Sequence, residues 1–125
     1  GSRILKGKLL NQYRDRLINF HPSVLPAFKG LNAIDAALLD RAFLLGNSAH
    51  FIVEEVDAGP VIMQQLTHAR SFNDYEDILG HQVPMLYQII LWINADRLHV
   101  DNGYAIVRNA DYTISEYIPR LEFHS

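Results

Sequence analysis

Asn19, His21 and Asp57 are the residues of this 125-residue chain whose types and spacing could do chemistry together. Asn19 and His21 belong to the run Leu17-Ile18-Asn19-Phe20-His21, which reads as a short buried strand. Side chains on a strand alternate, so Asn19 and His21 share one face with Leu17, and Ile18 and Phe20 share the other. Pro22 stops the ladder and keeps His21 extended. An amide donor and an imidazole thus stand side by side at a strand's carboxyl end, where open α/β sheets bind ligands. Asp57 opens the turn-like segment Asp57-Ala58-Gly59-Pro60. An amide, an imidazole and a carboxylate brought together there could stabilise an oxyanion, move a proton and orient the ring. The same residues also suit structural roles, a hydrogen-bonded strand end for the first two and a turn for the aspartate.

The elements that must position these residues follow from periodicity. Lys8 to Arg16 reads as a short helix with Leu9, Leu10 and Tyr13 on one face, ahead of the strand Leu17–His21 and the loop Pro22–Leu31. Asn32 is placed to cap a helix reaching about Leu45, with Gly46 closing it. Ile34, Ala37, Leu38, Ala42 and Leu45 form its apolar stripe. Ser48 to Val53 alternates as a strand with Ser48, His50 and Ile52 on one face, and Val61 to about His68 is the next strand. Asn73 with Glu76 has the capping-box form and starts a long helical region, broken by Gly80 and Pro84 before Met85–Leu98. Leu86, Tyr87, Ile90 and Ile93 read as core, with Trp92 packed beside them. Asp101-Asn102-Gly103 is a hairpin turn between Leu98–Val100 and Tyr104–Val107. The order predicts an α/β fold, a mixed sheet flanked by helices, in one domain spanning residues 1–125.

Composition narrows the function. A net charge of −3 with interspersed bases leaves no footprint for nucleic acid or an anionic membrane. No apolar run is long enough to cross a bilayer. The absence of cysteine rules out disulfides and thiolate zinc sites and agrees with a cytoplasmic setting. His68, His81, His99 and His124 lack metal-ligand spacing, so no metal is expected. Gly1-Ser2 has the form of a cloning scar, and the chain is expected to begin partway through a larger fold.

Two segments carry more than spacing. Ile18-Asn19-Phe20-His21-Pro22-Ser23-Val24-Leu25-Pro26-Ala27-Phe28-Lys29-Gly30-Leu31 contains Asn-x-His-Pro-Ser-x-x-Pro. His50 to Gln64 contains His-x-x-x-x-x-x-Asp-x-Gly-Pro-x-x-x-Gln. In this order and spacing they resemble the folate-dependent formyltransferase family, with the nearest likeness to the catalytic, folate-binding half of glycinamide ribonucleotide transformylases. The resemblance covers nearly the whole chain, most firmly Arg3 to Gln65. It implies the second half of a Rossmann-like formyltransferase fold and formyl transfer from 10-formyltetrahydrofolate to an amine, as with glycinamide ribonucleotide in purine biosynthesis. Asn19 and His21 would then bind the oxyanion, and Asp57 would favour the imidazolium and shuttle the amine proton. Folate would lie against Arg3, Ile4 and Leu5 and against the loop Phe51, Ile52, Val53, Glu54, Glu55, Val56 and Asp57, mostly through backbone. Gly59 and Pro60 would shape the turn. His50 is open between support of the site and a polar position on a half-buried strand.

Two departures bear on the acceptor. No Gly-rich phosphate loop of the kind held in the family's first half is present. The family's Glu-His-x-x-Tyr-Pro signature meets Gln82-Val83-Pro84-Met85-Leu86-Tyr87-Gln88, which keeps only the tyrosine. Gln82 can hydrogen-bond but cannot pair with an ammonium as a carboxylate does. Two alternatives therefore stay open: a formyltetrahydrofolate deformylase, in which water replaces the amine, and a non-catalytic folate- or partner-binding fragment. The partners expected are folate, a small amine-bearing substrate, and a missing N-terminal half or a second copy of the chain.

Overall fold

The computed structural model describes residues 17–123, so the expected helix over Lys8–Arg16 and the segment Arg3-Ile4-Leu5 lie outside the described residues. Four strands, β1 (Ile18–His21), β2 (Leu44–Phe51), β3 (Val61–His68) and β6 (Tyr117–Ile118), form a sheet in the order β1-β2-β3-β6. Every described pairing in it is antiparallel. Helix α1 (Ala33–Leu39) connects β1 to β2. A short 3-10 turn (Ala69–Ser71), α2 (Tyr75–Gly80) and α3 (Gln82–Asn94) follow β3. A separate hairpin, β4 (Leu98–Asp101) with β5 (Tyr104–Val107), completes the α/β architecture. Asn102 and Gly103 both take positive φ, 51° and 82°, the backbone of a type I′ turn that Asn-Gly favours. No described helix is long and apolar enough to cross a membrane.

The sheet has two unlike faces, and β2 separates them. Ala49 and Phe51 point into the main core with Met85, Ile89 and Trp92 of α3 and Val107 of β5. Ile18 and Phe20 pack against the same core, as the alternation of β1 requires. Toward the other end of β2, Leu45 joins Ile34 and Ala37 of α1 and Ile78 of α2 in a second cluster. The opposite face carries Ser48 and His50, placed by register directly across from His21 and Asn19 of β1. The β2–β3 register shifts between Ala49 and His50, a bulge of the kind that re-aims side chains beside functional sites.

Several boundaries differ from the sequence reading. The helix capped at Asn32 ends at Leu39 rather than near Leu45, and Asn32 makes no side-chain capping bond. Arg41 turns the chain at a φ of 56°, and the strand begins at Leu44 rather than Ser48. Gly46 closes no helix: it sits within β2, where an added Cβ would lie 1.9 Å from the Gln65 carbonyl oxygen. Asp74, not Asn73, caps α2, accepting from the Asp77 N–H at 2.9 Å. The break at Gly80 is present, but α3 restarts at Gln82 and ends at Asn94. Pro84 falls in its first turn, where no N–H is needed. The stripe read as core is on the wrong side of that helix: Leu86, Tyr87, Ile90 and Ile93 are 45–55% exposed, and Met85, Gln88, Ile89 and Trp92 are buried. α3 carries no charged residue, so its sequence did not mark which apolar side faces the sheet.

Candidate active site

β1 delivers Asn19 and His21 to one end of the sheet, and the turn after β2 returns Asp57 to meet them. His21 is buried at 5% exposure, and its Nε2 is 2.7 Å from the Phe28 carbonyl oxygen. A carbonyl only accepts, so Nε2 carries a proton. The other ring nitrogen, Nδ1, faces Asp57 Oδ2 at 3.3 Å. A proton there makes an ion pair, whereas a lone pair there would face a carboxylate oxygen. Asp57 also accepts from the Gly30 N–H at 2.7 Å. It takes a φ of 53°, a left-handed conformation that Asp and Asn tolerate better than most residues.

The Pro22–Gly30 loop supplies both backbone partners, and a polar cluster fixes it to the sheet. Ser48 Oγ donates to the Ser23 carbonyl at 2.7 Å and accepts from the Leu25 N–H at 3.0 Å. Gln64 Nε2 donates to the Leu25 carbonyl and to Ser48 Oγ, each at 2.9 Å. Ser23 Oγ closes the loop on the Ala27 carbonyl at 2.6 Å. The second motif's glutamine therefore anchors the first motif's loop.

Four of the sequence-selected residues converge. Asn19, His21, His50 and Asp57 form one network in which Asp57 Oδ1 is 3.5 Å from His50 Nε2, itself 3.5 Å from Asn19 Nδ2. The Asn19 side chain is the exposed member. His50, left open by sequence reasoning, is thus part of the cluster; its signal was the alternation that put it on the site-facing side of β2. Of the expected folate segment, Phe51 sends its side chain into the core. Its N–H donates to the Pro60 carbonyl at 3.0 Å, and the Ile52 N–H to the Leu17 carbonyl at 2.8 Å. Ile52 and Val53 are half-buried, and Glu54, Glu55 and Val56 are exposed on the turn that leads to Asp57. Gly59 is required there, since an added Cβ would lie 1.6 Å from the Phe51 carbonyl oxygen. A cavity of about 170 Å³ opens beside Asp57, lined also by Leu25, Pro26, Lys29 and Gly59. Among the described residues no group of three or more His, Asp or Glu side chains is arranged to hold a metal ion.

Residues 2–87 match the family model described as formyl transferase. The chain belongs to the formyl transferase family. The phosphoribosylglycinamide formyltransferase of Escherichia coli is 33% identical over 107 residues, which are 82% of this chain and 50% of that protein. The crystal structure of phosphoribosylglycinamide formyltransferase from Anaplasma phagocytophilum superposes with a TM-score of 0.76 at 31% identity, covering 85% of this chain and 54% of the other. A formyltetrahydrofolate deformylase from Pseudomonas syringae pv. tomato superposes with a TM-score of 0.68 at 28% identity, over 80% of this chain and 35% of the other. The chain spans about half the length of the formyltransferases it matches. The α/β fold is thus the formyltransferase fold, and both motifs lie within the matched residues 2–87.

Proposed function

We propose that the protein transfers the formyl group of 10-formyltetrahydrofolate to an amine. The observation that supports this best is the meeting of His21 and Asp57 at 3.3 Å beside Asn19, with the His21 Nε2 proton held by a carbonyl. In the reaction the amine nitrogen attacks the formyl carbon, and the carbonyl π electrons move to oxygen. The Asn19 amide donates a hydrogen bond to that oxyanion, and a protonated His21, its two N–H groups directed at the Phe28 carbonyl and Asp57, supplies positive charge beside it; losing an oxyanion donor typically costs about 10²–10³ in rate. Asp57 holds the imidazolium and carries the proton lost by the amine toward N10 of the folate. Collapse of the tetrahedral intermediate breaks the carbon–N10 bond, and N10 leaves with that proton. In this reading folate lies along Phe51 to Asp57, mostly against backbone, and against Arg3, Ile4 and Leu5.

The acceptor reading is glycinamide ribonucleotide, the substrate class carried in the names of the relatives. Its phosphate is left to a segment outside these 125 residues, which contain no Gly-rich phosphate loop, so that a second copy of them would supply none either. A cytoplasmic setting goes with this reading. Gln82, at the family's acceptor-contacting glutamate, gives its amide to Asn47 Oδ1 at 2.8 Å, so its role toward an amine differs from a carboxylate's. A deformylase is the second reading, favoured by the superposition on the Pseudomonas syringae structure. Against it stands the resemblance itself, in which those hydrolases usually carry His-His-Ser where this chain has His21-Pro22-Ser23. Incubating the full-length protein with 10-formyltetrahydrofolate and glycinamide ribonucleotide separates the readings. Formylated amine is expected; formate released without an acceptor assigns the deformylase, and neither product leaves a binding module.

A further inference from the structure

We propose that His50 is a positioning residue that works as the neutral Nδ1–H tautomer, its Nε2 lone pair holding the Asn19 amide toward the oxyanion. This role rests on the formyl-transfer reading of the site. His50 is 3% exposed, and its Nδ1 is 3.0 Å from the Phe51 carbonyl oxygen. That oxygen only accepts, so Nδ1 carries the proton and a neutral ring has its lone pair on Nε2. Two groups stand 3.5 Å from Nε2: Asn19 Nδ2, a donor, and Asp57 Oδ1, an acceptor. A neutral ring can bond only the first of them.

The consequence reaches catalysis because Asn19 and His50 are direct cross-strand partners. One N–H of the Asn19 amide is satisfied by His50, which fixes the rotation of the amide and leaves the other N–H for the substrate. A second proton on His50 would reverse the arrangement. Nε2 would then turn from Asn19 to Asp57, and Asp57 would be shared between two imidazolium rings. The charged or titratable groups facing the ring are Asp57 from the turn and, beyond it on β1, His21. Neutral His50 therefore leaves the carboxylate to His21 and the lone pair to Asn19.

Two substitutions in the full-length protein divide the ring's functions. His50→Gln can place an amide oxygen near the Nε2 position, keeping an acceptor for Asn19 and losing the donor to Phe51. His50→Asn can place an amide N–H near Nδ1, keeping the bond to Phe51 and losing the acceptor. We expect His50→Gln to stay within about threefold of wild-type kcat and His50→Asn to lose about 10²-fold in kcat with little change in KM for folate. The reverse order, or equal effects in both, overturns the proposal. Nitrogen-15 NMR of the wild-type imidazole tests it without any variant: a proton on Nδ1 is expected, and one on Nε2 sinks it. His21→Ala, run in parallel, keeps the two levels apart. Full activity in that control removes the formyl-transfer reading, whereas loss there with indistinguishable His50 variants removes only this one.

Discussion

His21 and Asp57 meet at 3.3 Å although one closes a strand and the other stands in a turn after the next strand. The contact is held at both ends by backbone, the Phe28 carbonyl for the histidine and the Gly30 N–H for the aspartate. Both partners come from one loop, so the loop sets the geometry of the pair. Asp57→Asn tests the charge alone. Asparagine accepts the left-handed backbone, and its side-chain oxygen can still take the Gly30 N–H. We expect formyl transfer by the full-length variant to fall by about 10²- to 10⁴-fold. An active Asp57→Asn enzyme would remove the carboxylate from the mechanism.

Ser48 is the buried hub through which β2 and β3 grip that loop. Ser48→Ala deletes the acceptor for the Leu25 N–H and the donor to the Ser23 carbonyl, leaving buried backbone groups without those partners. A lost buried hydrogen bond of this kind costs about 1–3 kcal/mol. The urea unfolding midpoint should drop accordingly, and kcat should fall as His21 and Asp57 lose the fixed loop between them. A variant as stable and as active as wild type would show that the loop holds its shape through its other contacts.

Much of the site was legible because it depends on short-range rules. Alternation put Asn19 and His21 on one face, Pro22 ended the strand, and Asn102-Gly103 declared its turn. The errors lie where those rules lose contrast. Helical spacing ran on from Ala37 through Ala42 to Leu45, and the opening residues of β2, Leu44-Leu45-Gly46-Asn47, carry no alternation to stop it. The helix instead ends at Leu39 with Arg41 turning the chain, and Gly46 belongs to β2, where only glycine fits against the Gln65 carbonyl oxygen. The pairing of His50 with Asn19 depends on strand register, which a pattern within one strand does not specify.

The face of α3 gives the sharpest stability contrast. Met85 is fully buried in the main core and Leu86, its neighbour in sequence, is 48% exposed. Met85→Ala is expected to cost about 2–5 kcal/mol as a cavity opens against the sheet. Leu86→Ala on the same chain should cost well under half of that, since its side chain surrenders little packing. Chemical denaturation of both variants decides it, and equal losses would mean that the helix presents its other side to the sheet.

Tyr117 links the sheet edge to the helices, and its ionisation should appear in the pH dependence of stability. It pairs with Gln65 across β3 and β6, and its hydroxyl lies 2.8 Å from His81 Nδ1. Burial, with a smaller contribution from the charge of Glu116, pushes its phenol up from 10.0 to about 12. The folded state thus keeps a proton that the unfolded chain gives up. Below pH 10.0 both states hold the proton and the group contributes no slope. Above it the unfolded chain binds fewer protons than the folded one, so stability falls with rising pH until the folded phenol also ionises at about 12. Tyr117→Phe removes that difference while also losing the bond to His81, which lowers stability at neutral pH by about 1 kcal/mol. Urea midpoints of wild type and variant should therefore converge between about pH 10 and pH 12, the wild type falling faster. Parallel slopes would place the Tyr117 hydroxyl in the same environment in the folded and unfolded chain.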